Sequence, residues 1–432
     1  MEISVRTTAD RRMHISAGRI TPLNRTIVPL LGALLVLSFP ALATTWYVNG
    51  RSGDNGNNCK TKATACPTIG QAISLSASGD TIQIAPATYA GNLIIPFNLT
   101  LNGANEATTI IDGGQTVTVF TVGSGISLTL SNLTIKNGVN FSGGGGVNNA
   151  GTLTADKINF YVNTALSGGA ILNTGTATIN DSNFSSNSPI FSGHSAGCGA
   201  IDNRGTMTIT ASTFFNNYAN NNFTSGGAVC NSGTMAIAGS TFSTNSSQGN
   251  NGGYGGAIYT YSGTLSITNS TFSQNSATTG GGAIYSQGGT VLISNSTFGT
   301  NPENIGGGGA LSNAGGSILI QNSIVANGGN GGNCAGSITS TGYNLSSDSS
   351  CTFNAPGDLN GLNPNLGALA GNGGPTQTMA LPNGSPALDA GNPSGCRNFT
   401  GKLLTTDQRG APRPGGGETT GCDMGAYESQ TN

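Results

Sequence analysis

The strongest candidates for acid and base chemistry lie close together in the middle of the chain. His194, Asp202 and Arg204 belong to one segment of the 432-residue sequence, and such groups move protons or stabilise anions in many enzymes. Polysaccharide cleavage, however, needs a second carboxylate, or acids that hold a cation beside a basic group. The neighbouring segments supply no matching acid, so a solvated salt bridge beside a loop histidine is the competing interpretation.

Three tyrosines form a second candidate site, whose chemistry is binding rather than catalysis. Tyr259 and Tyr285 occupy equivalent positions in successive segments, and Tyr261 lies two residues along the first of them. Aromatic faces on a rigid surface suit sugar rings or a protein partner. The pattern predicts an exposed aromatic platform, whereas a covering loop or the β propensity of tyrosine would explain the same residues without binding.

The eight cysteines all lie beyond residue 43, which favours disulfides formed in an oxidising compartment. Proximity in sequence predicts three bonds, namely Cys59 with Cys66, Cys334 with Cys351, and Cys396 with Cys422. Cys198 and Cys230 remain, and their pairing is left open. Spacings typical of zinc sites do not occur, so the sequence predicts no metal site and no cofactor.

The composition restricts the classes of partner. The chain has 15 basic and 17 acidic side chains, and its 7% of charged residues compares with about a quarter in an ordinary domain. Because phosphate recognition needs clustered Lys and Arg, nucleic acid is excluded as a partner. The 70 glycines would suit a disordered chain, but 36% hydrophobic residues in regular spacing indicate a large buried core.

The candidate site residues lie within a repeat of 24 to 30 residues, which must position their side chains. Gly-Gly-Ala plus an apolar residue recurs, exactly or as a close variant, and Phe-x-x-Asn follows each of the first six copies. The apolar residues are Val147, Ile171, Ile201, Val229, Ile258, Ile284 and Leu311. Segments with a two-residue period lie between the motifs and predict short strands. Such units bury their apolar faces only by stacking, so the sequence predicts an all-β, single-stranded right-handed parallel β-helix.

The copies also assign the faces of these strands. The apolar residue after Gly-Gly-Ala should point inward, as should the Asn two residues later, for example Asn203, which would form a buried ladder with its counterparts. The Phe residues should form an inward stack. The position between the apolar residue and the Asn is Asp202, Tyr259 or Tyr285 in three copies, and its mixed identity predicts a stripe that faces solvent.

The two ends of the chain have different signals. An apolar run before Ala41-Leu42-Ala43 predicts a signal peptide over residues 1–43, with Met1 or Met13 as the start, and no later segment is apolar enough for a membrane helix. Thr68 and Gln71 start a predicted capping helix that extends to Leu75.

Residues 44–345 are assigned to the β-helix, and residues 346–432 to an irregular cap stapled by Cys396 and Cys422. Four acids and two arginines of this cap either form ion pairs or bind a cation: Asp389, Asp407, Asp423, Glu428, Arg409 and Arg413.

Several motifs resemble known families. The paired Gly-Gly-Ala-Ile and Phe-x-x-Asn motifs over residues 143–328 resemble the repeats of chlamydial polymorphic outer membrane proteins, and the whole rod looks like a pectin-lyase-like β-helix. The C-terminal segments Asn372-Gly-Gly-Pro-Thr376, Ser385-Pro-Ala-Leu-Asp389 and Cys422-Asp-Met-Gly-Ala-Tyr-Glu428 resemble the choice-of-anchor Q domain. The first resemblance implies a surface adhesin, and the second implies a fold that many polysaccharide-degrading enzymes share.

We therefore expect a secreted or cell-envelope protein, monomeric, that acts as an adhesin-like binding or structural module for an extracellular glycan or protein surface. The alternative is a polysaccharide lyase or glycoside hydrolase. Asp202, Arg204 and His194 would be its catalytic residues.

Overall fold

Each turn of the chain adds a strand to each of three parallel sheets, and the result is the predicted parallel β-helix. The computed structural model describes residues 43–190, 197–220, 224–249, 252–303, 307–415 and 421–430, which belong to one compact unit. The predicted signal peptide lies, apart from residue 43, outside the described residues and stays a prediction. None of the described helices is long and apolar enough to cross a membrane.

Sheets 1 and 2 are the two halves of one 22-stranded sheet, and two long strands, Ser127–Lys136 and Thr152–Tyr161, pass through both halves. The other strands of sheet 1 are Thr45–Val48, Thr81–Ile84, Leu99–Gly103, Thr176–Asn180, Thr206–Thr210, Thr234–Ala238, Thr264–Thr268, Thr290–Ser294, Ser317–Gln321 and Ile338–Ser340. The other strands of sheet 2 are Ala87–Ala90, Thr109–Asp112, Asn183–Ser185, Thr213–Phe215, Thr241–Ser243, Thr271–Ser273, Thr297–Gly299, Ile324–Ala326, Leu345–Ser346 and Leu359–Asn360.

A residue in the left-handed conformation makes the bend between sheets 1 and 2 in successive turns. Asn132, Asn269, Asn295 and Asn322 have φ values of 55°, 46°, 50° and 50° at this bend. The short polar side chain of Asn tolerates this conformation better than most side chains do. The sharp bend directs the following Phe-x-x-Asn segment into sheet 2.

Sheet 3 carries the predicted site residues on its outer face. Its ten strands are Leu93–Ile95, Phe120–Val122, Val147–Asn149, Ile171–Asn173, Ile201–Asn203, Val229–Asn231, Ile258–Thr260, Ile284–Ser286, Leu311–Asn313 and Cys334–Ala335. Ile171 pairs with Ile201, and Val229 pairs with Ile258 in parallel register. The remaining apolar residues of the first motif pair in the same way. The prediction that the apolar residues after Gly-Gly-Ala point inward is confirmed, and they stack from one turn to the next.

The remaining elements are short. The only helix of the described residues is Ile69–Leu75, and Thr68 caps it by accepting the backbone N–H of Gln71 at 3.2 Å, as predicted. Ten strands of two residues form four small sheets outside the walls: Val139–Asn140, Thr164–Ala165 and Ser188–Pro189; Tyr218–Ala219, Ser246–Ser247 and Ser276–Ala277; Thr224–Ser225 and Gly253–Tyr254; Leu369–Ala370 and Thr378–Met379.

Three side-chain ladders fill the interior along the axis of the rod. The rings of Phe160, Phe184, Phe214, Phe242, Phe272 and Phe298 stack with centroids 4.4 to 4.8 Å apart, as predicted. The predicted Asn ladder is also present, since Asn173 Nδ2 donates to Asn203 Oδ1 at 2.8 Å, and Asn203 donates in turn to Asn231. The asparagines of Phe-x-x-Asn form a second ladder, in which Asn187 donates to Asn217 at 2.9 Å. The buried amides are thereby satisfied from one turn to the next.

Four disulfides join the eight cysteines. The three predicted bonds, Cys59–Cys66, Cys334–Cys351 and Cys396–Cys422, are present. The pair that the sequence left open, Cys198 and Cys230, forms the fourth, with Cα atoms 5.7 Å apart. All cysteines of the chain are therefore oxidised, which fits an extracellular protein.

Most of the C-terminal region lies along the side of the rod. Leu359–Asn360 still pairs with Leu345–Ser346 as a last strand of sheet 2, but the residues that follow pack against the outer face of that sheet. Asn269 Nδ2 donates to the carbonyl of Thr406 at 2.9 Å, and Thr376 Oγ1 donates to the carbonyl of Gly239 at 2.9 Å. The predicted domain boundary after residue 345 stays a prediction.

Candidate functional site

The candidate site is the outer stripe of sheet 3, where the register aligns the predicted residues of both candidate sites. Asp202 pairs with Cys230, Cys230 with Tyr259, and Tyr259 with Tyr285 on successive strands. Asp202 and the tyrosines Tyr259 and Tyr285, which the sequence assigns to separate candidate sites, therefore lie on one continuous stripe of sheet 3.

The prediction that this stripe faces solvent is wrong for much of its length. Leu172, Asp202, Cys230 and Tyr259 are 7%, 8%, 0% and 5% exposed. The physical reason is that the turns before sheet 3 fold back over it. Cys198, Tyr254 and Tyr285 pack with Cys230 and Tyr259 into a separate apolar cluster outside the wall of the rod.

Four tyrosine rings form the centre of this surface. The ring of Tyr259 lies 4.2 Å from that of Tyr261 and 5.4 Å from that of Tyr285, and Tyr254 lies 4.6 Å from Tyr285, measured between centroids. We call Tyr254, Tyr259, Tyr261 and Tyr285 the tyrosine cluster. Tyr254 was not among the predicted site residues, because it falls in a variable turn and thus outside the repeat. A search for aromatics within the long turns would have found it.

The members of the tyrosine cluster differ in exposure. Tyr259, predicted as part of an exposed platform, is buried beneath its neighbours, and its hydroxyl donates to Gln287 Oε1. Tyr261 is 38% exposed, and its hydroxyl shares a hydrogen bond of 2.7 Å with Ser225 Oγ. Tyr254 and Tyr285 are half-buried. Tyr259 therefore supports the cluster from below, while Tyr254, Tyr261 and Tyr285 present their rings to solvent.

Burial raises the pKa of three of these phenols, Tyr259, Tyr261 and Tyr285. It raises the pKa of Tyr259 far above its ordinary value, with further contributions from Tyr261, Tyr285 and Tyr254. Burial also raises the pKa of Tyr261 and of Tyr285. The hydroxyls consequently remain protonated around neutral pH, where each can donate as well as accept a hydrogen bond.

Asp202 and Arg204 form an ion pair at one edge of the tyrosine cluster. Arg204 donates from Nη2 at 2.6 Å and from Nε at 3.1 Å to the same oxygen of Asp202, and Nη2 also reaches Ser167 Oγ at 3.2 Å. The hydrogen bond to Asp202 raises the pKa of the Arg204 guanidinium. Leu172 and Cys230 flank Asp202 on the adjacent strands, so neither neighbouring strand supplies a second carboxylate at this position.

His194 lies outside the described residues, so its predicted place in the catalytic cluster stays a prediction. Cys198 lies just before the strand Ile201–Asn203, and its disulfide ties it to Cys230 on the strand beside Tyr259. The covalent bond therefore holds the covering turn against the stripe at the position between Asp202 and the tyrosines.

Two of the four acids singled out in the C-terminal region, Asp407 and Glu428, are engaged in ion pairs. Asp407 lies 2.7 Å from Arg409, and Glu428 lies 3.3 Å from Arg413, with both pairs buried. Within the described ranges, no group of three or more His, Cys, Asp or Glu side chains is placed to hold a metal ion. The two buried ion pairs agree with the ion-pairing interpretation for Asp407 and Glu428, and the cation site stays an open alternative.

Comparison with known proteins gives one family match. Residues 269–287 match the repeat of the Chlamydia polymorphic membrane protein. The matched segment contains one Phe-x-x-Asn motif and the following Gly-Gly-Ala-Ile motif, and it ends beside Tyr285. Among curated proteins, no sequence matches this chain.

Two solved structures are similar to part of this chain. A rhamnogalacturonan lyase is 14% identical over 66% of this chain and 75% of its own, with a TM-score of 0.35. A mutant pectin methylesterase in complex with a hexasaccharide is 12% identical over 63% of this chain and 81% of its own, with a TM-score of 0.29. At this level of similarity, neither structure bears on the chemistry of the present site.

Proposed function

We propose that the chain is a cell-surface protein that binds an extracellular glycan or protein partner at the tyrosine cluster. The observation that carries this proposal is the cluster itself, in which three partly exposed rings surround a buried fourth ring. Packed aromatic rings lose little conformational entropy on binding because their neighbours already hold them, and their faces suit sugar rings and apolar side chains.

Two further observations support a surface location. The matched repeat comes from a family of membrane proteins and indicates a surface protein. The four disulfides fit an extracellular environment. A secreted or envelope-associated binding module is the function most consistent with both.

The alternative, a polysaccharide-degrading enzyme, has less support. Asp202 is 8% exposed and one of its carboxylate oxygens already accepts two hydrogen bonds from Arg204. Glycoside hydrolysis by two carboxylates needs a second acid within about 10 Å of the first, and the strands on either side of Asp202 carry Leu172 and Cys230. Asp202 therefore serves better as the charged rim of a binding surface.

An array of glycans and matrix proteins tests the binding proposal. The wild-type chain should be retained by a ligand, and a Tyr261→Ala/Tyr285→Ala double variant should bind that ligand at least about tenfold more weakly, because loss of an aromatic hot spot costs about 2 kcal/mol. Tyr218→Ala is the matched control, since Tyr218 is 43% exposed and lies outside the cluster.

Equal binding by the double variant and the wild type would contradict the proposal. The enzyme alternative has its own assay, in which pectic, alginate and neutral glycans are incubated with the protein with and without Ca²⁺. We expect no oligosaccharide to be released. Release that disappears in Asp202→Asn would instead establish the enzyme.

A further inference from the structure

A groove that neither candidate site includes runs along the outer face of sheet 2. It has a volume of about 600 Å³ and lies on the strands from Thr109–Asp112 to Thr213–Phe215. This volume falls in the range of ligand sites, which is roughly 300 to 1,000 Å³. The groove belongs to a different sheet from the tyrosine cluster, which lies on sheet 3.

Two exposed aromatic rings line this groove. Tyr161 is 45% exposed and Phe215 is 50% exposed. The register places Tyr161 beside Ser185 and Ser185 beside Phe215, so both rings lie in one file with a single small residue between them. Two strand spacings separate the rings by about 10 Å, which is close to the length of a disaccharide.

The floor of the groove is polar and nearly neutral. A second file on the same face presents the side chains of Thr134, Asn159, Asn183 and Thr213, which are hydroxyl and amide groups. At one end, Glu106 and Lys136 contribute opposite charges, and Lys136 already pairs with Asp112 at 3.3 Å. A surface of this kind complements an uncharged ligand rich in hydroxyl groups better than a strongly charged one.

The groove is continuous with the surface that the C-terminal region covers. Farther along the rod, the two files continue as Thr241, Thr271 and Thr297 and as Ser243, Ser273 and Gly299. There the threonine hydroxyls are buried, and Thr271 donates to Gln408 at 2.6 Å while Thr297 accepts from the backbone of Ala426 at 3.0 Å. The same face of the sheet is thus covered by a polar hydrogen-bonding chain in one half and left open in the other.

The cleft extends from the open half toward the covered half. Phe215 lines the 600 Å³ groove and also a second cleft of about 430 Å³, whose other wall is Leu366–Leu369 together with Met379. The two clefts therefore meet at Phe215. A linear ligand that lies along the rod axis can therefore extend from the first cleft into the second, over more than the length of one sugar ring.

A peptide is a less suitable occupant. Peptides that bind sheets usually add a strand to an open edge, where main-chain groups are unpaired. The strands beneath the groove, such as Asn183–Ser185, pair on both sides with Thr152–Tyr161 and Thr213–Phe215. Only side chains face the groove, and stacking on rings with hydrogen bonds to hydroxyls and amides is the chemistry by which sugars are held.

We propose that this groove is a second binding site, and that it holds a linear neutral oligosaccharide along the rod axis with sugar rings on Tyr161 and Phe215. The proposal is independent of the function assigned to the tyrosine cluster. Affinity should increase steeply once the oligosaccharide is long enough to cover both rings, and change little with further length.

Calorimetric titration of the full chain with neutral hexaoses tests this proposal. The probes are the hexaoses of β-1,4-glucan, β-1,3-glucan, xylan and mannan, with the hexamer of polygalacturonic acid as the charged comparison. Tyr161→Ser/Phe215→Ser should weaken binding of the preferred neutral hexaose at least about tenfold. Serine is the natural choice because Ser185, Ser243 and Ser273 occupy the same file.

Three controls separate the outcomes. Phe141→Ser removes a ring that is 74% exposed and outside the groove, and it should leave the affinity unchanged. Tyr218→Ala removes a ring that is 43% exposed and belongs to neither the groove nor the tyrosine cluster, and it should also leave the affinity unchanged. Thermal melts of each variant should match the wild type.

Two results would overturn the proposal. One is that none of the neutral hexaoses binds the wild-type chain saturably, or that binding is the same in the serine variant. The other is that a synthetic peptide of residues 363–381 added in solution binds at Tyr161 and Phe215 while the hexaoses do not, which would identify the groove as a site for polypeptide.

Discussion

Glu428 is a buried acid whose charged form is disfavoured by burial and only partly stabilised by its ion pair with Arg413. Burial raises the pKa of Glu428 to about 7, although Arg413 and the backbone N–H groups of Asp423 and Gly415 oppose the shift. Burial also raises the pKa of Asp423. At the scale of single residues, burial therefore opposes the charged forms of both Glu428 and Asp423.

The conflict predicts a pH dependence of stability. Between an ordinary pKa of 4.5 and the raised value of about 7, the folded state binds a proton that the unfolded state has lost, so the free energy of unfolding falls as pH rises through this interval. One pKa unit is worth about 1.4 kcal/mol, and the total loss should be about 3 kcal/mol. Glu428→Gln should flatten this slope in urea titrations made between about pH 5 and pH 8. The same slope in the variant and the wild type would assign the effect to other groups.

At the scale of elements, the repeat works because every strand divides its side chains between two environments. Phe214 and Phe215 are neighbours in one strand, yet Phe214 is 0% exposed within the ring stack and Phe215 is 50% exposed in the groove. Their side chains point to opposite faces because successive residues of a strand alternate. The same residue type thus contributes to stability at one position and to binding surface at the next.

This pair gives a prediction with an internal control. Phe214→Ala should lower the free energy of unfolding by about 3 to 5 kcal/mol, because it removes two ring contacts and leaves a cavity in the core. Phe215→Ala should change it by less than about 0.5 kcal/mol, as is usual for surface positions. Chemical denaturation of both variants measures the difference. If Phe214→Ala lowered the free energy of unfolding as little as Phe215→Ala is expected to, the ring stack would add nothing to stability.

At the scale of the whole molecule, the C-terminal region acts as a lateral cover, and Gln408 holds it against sheet 2. The side chain of Gln408 donates to Thr241 Oγ1 at 2.9 Å and to Thr376 Oγ1 at 2.9 Å. Gly299 allows a close approach nearby, since a Cβ atom there would lie 2.6 Å from Met379 Sδ. The polar contact and the absent side chain together let the cover lie flat on the strands.

Removal of the Gln408 amide should loosen this cover. Gln408→Ala leaves the buried Thr271 hydroxyl without its acceptor, at a cost of about 1 to 3 kcal/mol, and removes the amide that donates to Thr241 and Thr376. Hydrogen exchange in residues 366–379 should therefore become faster while exchange in sheet 3 stays unchanged. Gln377→Ala is the control, because the Gln377 side chain is exposed and only its carbonyl contacts Gln408. Unaltered exchange in Gln408→Ala would mean that apolar contacts alone hold the cover.

The parallel β-helix, the Phe stack, one of the two Asn ladders and three of the disulfides could be predicted from the sequence alone. Each repeat copies the same spacing of Gly, apolar, Asn and Phe residues, and a two-residue period leaves one face of each strand for the core. Residues such as Ile201, Asn203 and Phe214 can therefore be placed from their counterparts alone.

Which outer faces of the strands are covered and which stay exposed follows only from the tertiary structure. Tyr259 is buried, Tyr254 joins the cluster, Cys198 bonds to Cys230, and the C-terminal region covers half of sheet 2. These outcomes depend on turns and on a tail whose sequences do not repeat, so no counterpart in another turn predicts their position. A local spacing rule fixes which side of a strand faces the core, whereas the cover on its outer side comes from residues as far as 168 positions away.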